Sequence, residues 1–170
     1  NGTYTELARF HSGKALFLDT PEPRLDQSST FSAISELQMF MEYFPASKRK
    51  TEAQQMIFEL QDKLVMKDYL TAKLYYDLGT YTGNASYTAD MRINGNNFLA
   101  CITTAQNALK DYPYTSMRED ISILLLRAKH KLGSESVLEK KEERMRETID
   151  EYYAFKNEFP ESKYMKEVEA

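Results

Sequence analysis

The residues of this chain that could carry chemistry are few, and they do not form a catalytic set. The only histidines are His11 and His130, which stand far apart in the sequence. His130 lies between Lys129 and Lys131, a composition typical of a solvated helix face. No grouping of cysteine, histidine and aspartate has the spacing of a zinc site, and no nucleophile–base pair is evident. We therefore expect a protein that is not an enzyme, with no catalytic residue, no metal and no cofactor.

Two further patterns partly match a reactive or ligand-binding site, but each lacks a required feature. The single cysteine, Cys101, occupies the small, close-packed position of a helical repeat, so we expect a buried and inert thiol. The stretch Asp90-x-x-x-Asn94-Gly95-Asn96 is similar to a calcium loop, but Cys101 stands where the bidentate acid at the twelfth position is required. Neither pattern predicts a metal ligand.

Tyrosines are the residues with the best prospect of binding a partner. Tyr75, Tyr76, Tyr81 and Tyr87 lie in or beside residues 80–96, whose glycines and asparagines predict a loop or small hairpin. Aromatic side chains are favoured anchors in protein interfaces. The segment is therefore either a docking surface for a protein or a cover for the seam of the helix over 68–78, and the sequence leaves both open.

A motif that occurs three times sets the elements that position these residues. An isoleucine preceded by a small residue stands eleven residues before an aromatic-Pro-x-Ser/Thr turn, in Ala33-Ile34 to Pro45, Cys101-Ile102 to Pro113 and Thr148-Ile149 to Pro160. The residue before a proline leaves helical geometry, which ends the helix, and the Ser or Thr can cap the next one. Pro45 and Pro113 are 68 residues apart, twice the tetratricopeptide period of about 34.

The pattern predicts an all-α fold of tetratricopeptide-like helical hairpins forming a short right-handed solenoid, with residues 1–170 as a single domain. We expect the small-Ile pairs to be core, Thr30 to cap a helix, and Ser116-x-x-Glu119 and Ser136-x-x-Glu139 to be capping boxes. The chain between 47 and 78 is one helix or two. The predicted helices cover residues 3–18, 31–44, 47–78, 97–112, 117–132 with Gly133 just past its end, about 137–159, and a last one from near Lys163.

Charge and hydropathy exclude several classes of partner. The net charge is -4 and the pI is about 5.3, so the chain has no electrostatic footprint for nucleic acid. No apolar stretch approaches the ~18 residues needed to span a bilayer. The start Asn1-Gly2-Thr3 looks like a cut end, so we expect a fragment that lacks N-terminal repeats and a lipid anchor.

An ordered set of blocks resembles the BamD family of tetratricopeptide lipoproteins, which serve the outer-membrane β-barrel assembly machinery. The resemblance runs over nearly the whole chain. The chain is similar to the C-terminal part of those proteins, and its wording is nearest to that of the Bacteroidota branch. The blocks are Tyr4-x-x-Leu-Ala-Arg-Phe, Leu25-Asp26-Gln27-Ser-Ser-Thr30, Ala33-Ile34, Phe44-Pro45-x-Ser47, Ala72-x-x-Tyr75-Tyr76-x-x-Gly79 and Ala108-Leu109-Lys-Asp-Tyr112-Pro113.

The resemblance implies a non-catalytic scaffold at the periplasmic face of the outer membrane. Membrane association would be only through an N-terminal lipid outside this chain, and the partner would be a BamA-like barrel assembly protein. Better-known members carry a basic residue that supports this contact, and the matching place here holds Thr104. Two alternatives remain: a generic periplasmic adaptor coordinating cell-wall synthesis or division, and a glycan- or peptide-binding envelope lipoprotein.

Overall fold

The computed structural model describes residues 2–80 and 96–169, and in these ranges every regular element is an α-helix. This confirms the all-α, tetratricopeptide-like fold expected from the repeated motif. The helices are α1 (Thr3–Leu18), α2 (Ser28–Tyr43), α3 (Lys50–Leu78), α4 (Asn97–Asp111), α5 (Arg118–Ser134), α6 (Leu138–Glu158) and α7 (Met165–Val168).

The chain forms two compact units, residues 1–67 and 68–170, and the boundary falls within α3. In the first unit α1 packs against α2. Its core joins the two helices of this hairpin to the first half of α3. Gly13 lets α1 approach closely, because a Cβ there would lie 2.8 Å from Leu37 Cδ2. The buried residues of this core are Phe10, Ala33, Leu37, Phe40, Ala53, Met56, Ile57 and Leu60.

In the second unit α5 lies between two partners, α4 and α6. All six residues from Ile121 to Leu126 are buried, so this stretch of α5 has no solvated face. Phe155 of α6 packs with Ile123 and Leu126. The second half of α3 also belongs to this unit, where the Tyr76 ring meets Phe98 of α4 edge to face at 5.7 Å.

The aromatic-Pro-x-Ser/Thr turn adopts the same geometry in all three copies. The aromatic residue before each proline ends its helix with φ between -127° and -129° and ψ between 61° and 68°. The hydroxyl of Ser47, Thr115 and Ser162 then accepts the backbone N–H two residues later, at 3.1, 3.2 and 3.0 Å. The expectation that this Ser or Thr caps the next helix is not met at α5 and α7, whose N-termini have no side-chain cap, because the hydroxyl bonds within the turn that precedes the helix.

The expectation that the small-Ile pairs are core is only half right. Ala33 and Cys101 are fully buried and Thr148 is 8% exposed, but the isoleucines that follow are less buried, although Ile34 still packs against the first core. Ile34 and Ile102 are half-buried, and Ile149 is 52% exposed. A helix advances about 100° per residue, so the small residue faces the neighbouring helix and the next position turns away.

Three predicted caps are wrong. Helix α2 begins at Ser28, so Thr30 lies inside it, buried, and donates from Oγ1 to Gln27 Oε1 at 2.7 Å. Helix α5 begins after Met117, because Thr115 rather than Ser116 makes the turn, and its N-terminus has no side-chain cap. Helix α6 likewise has none, since the Ser136 hydroxyl donates to Leu132 O at the end of α5.

The other boundaries differ from the sequence expectation in smaller ways. The ambiguous stretch is one continuous helix, Lys50–Leu78, and Gly79 ends it with φ of +53°. In its second half Leu74 is 57% and Leu78 is 36% exposed. Gly133 lies within α5, not beyond it.

Candidate functional site

The structure places three of the five predicted partner-binding residues. Tyr75 and Tyr76 are half-buried near the end of α3, and Thr104 is half-buried in the middle of α4. Tyr81 and Tyr87 lie outside the described residues. The edge-to-face contact with Phe98 gives Tyr76 a packing role in the second unit. Tyr75 makes no such ring contact among the described residues.

Burial raises the pKa of two ionisable side chains beside this region. Burial raises the pKa of the Tyr76 hydroxyl, and the nearby positive charge of Arg127 opposes that rise. Burial also raises the pKa of the Cys101 thiol to about 12, with a smaller contribution from the negative charge of Asp77. A thiol that stays protonated is a poor nucleophile, which agrees with the buried position expected from the sequence.

A groove in the second unit was not predicted from the sequence. A groove of about 310 Å³ runs between α5, α6 and α7. Its floor is mainly apolar, and Ile149, which the sequence assigned to the core, stands exposed on its wall. Its lining residues are Ile123, Leu126, Arg127, His130, Met145, Thr148, Ile149, Tyr152, Glu167 and Val168.

A charged pair closes one end of the groove. The Arg127 guanidinium donates from Nε and Nη2 to the Glu167 carboxylate at 2.7 and 2.5 Å, which ties α7 to α5. These hydrogen bonds lower the pKa of Glu167 and raise that of Arg127. The side chains are 34% and 52% exposed, so solvent screening limits the pair to about 1 kcal/mol or less.

Beside the groove, the exposed face of α6 is dominated by carboxylates. The run of charges from Glu139 to Glu147 predicts a solvated face with i,i+4 pairs, and Arg146 does pair with Glu142 at 2.6 Å. Both side chains are more than 70% exposed. The residues that cluster on this face are Glu139, Glu142, Glu143, Arg146, Glu147 and Asp150.

Residues 2–80 and 96–169 form neither a metal-binding cluster nor a membrane-spanning helix. No group of three or more histidine, cysteine or acidic side chains in these ranges has the arrangement to hold a metal ion. No helix there is long and apolar enough to cross a bilayer. His130 is exposed and hydrogen-bonds only within its own helix, through its carbonyl and ring, to Ser134.

The fold defines a helical-hairpin repeat protein. Comparison with known families gives the particular group. Residues 4–94 match the family described as YfiO, outer membrane lipoprotein, and the chain belongs to that family. The match covers α1 to α3, whereas the groove of the second unit lies outside it. No curated protein matches the chain.

Family membership supports the coarser part of the resemblance noted from the sequence blocks. The YfiO family is related to BamD, so the chain is an envelope protein associated with the outer membrane. The family is not enzymatic, which fits a role in interactions between proteins.

Proposed function

We propose that this chain is a non-catalytic scaffold of the BamD type, which helps to assemble β-barrel proteins in the outer membrane. The observation that carries the proposal is the family match over residues 4–94. The hairpin architecture supports it, because stacked helices present extended surfaces to protein partners.

The finer features of the proposal come from the resemblance of the sequence blocks. They are a single helical repeat domain over residues 1–170, a position at the periplasmic face, and a lipid anchor upstream of residue 1. The chain would correspond to the C-terminal part of a Bacteroidota-like member. Its leading partner is a BamA-like barrel assembly protein.

The proposed contact surface includes Tyr75, Tyr76, Tyr81, Tyr87 and Thr104. Tyr75 and Thr104 are half-buried side chains on two helices of the second unit, so each retains surface that a partner can cover. Because Tyr76 packs on Phe98, its replacement would disturb the fold as well as the contact. Tyr75 is therefore the residue on which to test binding.

Calorimetric titration with the periplasmic domains of the BamA-like protein from the same organism tests this proposal. We expect Tyr75→Ala to weaken binding by about tenfold, the loss typical of an aromatic anchor. Tyr114→Ala is the matched control, since Tyr114 is 90% exposed on the loop before α5, and it should bind like the parent. Both variants should keep the parental helical signal and melting temperature.

A second variant separates docking from covering for the segment around the tyrosines. Residues 82–95 are replaced by a short Gly/Ser linker. Loss of the BamA-like domain at an unchanged melting temperature supports docking. If the variant folds and binds the BamA-like domain as tightly as the parent chain does, residues 82–95 do not belong to the proposed contact surface. Failure of the parent chain itself to bind the BamA-like domain contradicts the scaffold assignment and favours the adaptor or ligand-binding alternatives.

A further inference from the structure

We draw no further inference here: the strongest candidate, the acidic patch that Glu139, Glu142, Glu143, Glu147 and Asp150 form on the exposed face of α6, is a cluster of carboxylates partly paired with Arg146, and nothing in the structure shows what binds it.

Discussion

At the scale of single residues, the small position of each repeat matters more than the isoleucine beside it. Ala33 and Cys101 have no exposed surface and Thr148 has little, because a larger side chain would push two packed helices apart. The isoleucine that follows is half-buried in the first two copies, and in the third, where Ile149 lines the groove, it is 52% exposed. An apolar residue in a repeated motif is thus core only where a neighbouring helix covers it.

The Cys101 thiol gives a direct test of this packing. Its pKa is raised to about 12 by burial, so at pH 8 the reactive thiolate is far rarer than in the unfolded chain. We expect alkylation by iodoacetamide to be at least about 100-fold slower in the folded protein than in urea. The same shift makes the stability of the fold depend on pH. The thiol ionises at a lower pH in the unfolded chain than in the folded one, so the free energy of unfolding falls as pH rises toward 12. A native rate near that in urea would show that Cys101 is not held in the core.

At the scale of elements, the Ser or Thr after each aromatic-Pro pair makes a hydrogen bond in the turn before the next helix, whereas the Ser-x-x-Glu patterns form no cap. Each turn hydroxyl accepts the N–H two residues on, and Ser47 and Ser162 also donate to a glutamate of an earlier helix. Sequence patterns place caps from local spacing alone. The position where each helix begins is decided by the proline turn, one or two residues away from the predicted cap.

Removing these hydroxyls tests their contribution. Ser47→Ala and Ser162→Ala should each lower the free energy of unfolding by about 1 kcal/mol, because each leaves a helix N-terminal N–H and a glutamate without that partner. Ser35→Ala is the control, since Ser35 is exposed within α2 and alanine is the better helix former. The measurement is urea unfolding followed by circular dichroism. If Ser47→Ala or Ser162→Ala lowers the free energy of unfolding no more than Ser35→Ala does, the turn hydroxyls do not stabilise the fold.

At the scale of the whole molecule, the sequence predicts the elements better than the surfaces. The proline turns and the 3.6-residue periodicity are local signals, so helix type and most helix ends follow from them. The groove could not be predicted, because its lining comes from three helices and includes His130 and Ile149. The sequence predicts that His130 is solvated and that Ile149 is core. For Tyr81 and Tyr87, outside the described residues, the docking role stays a prediction.

The uneven burial along the chain predicts uneven stability. Residues Ile121 to Leu126 of α5 are buried without interruption, whereas α7 has four residues, none of them buried. In hydrogen-exchange mass spectrometry, amides of α5 should exchange at least about 100-fold more slowly than those of α7. Arg127→Ala should speed exchange in α7 by a few-fold and leave the central turns of α5 unchanged, because it removes the pair with Glu167. Exchange in α7 as slow as in α5 would mean that more than this exposed pair holds the short helix in place.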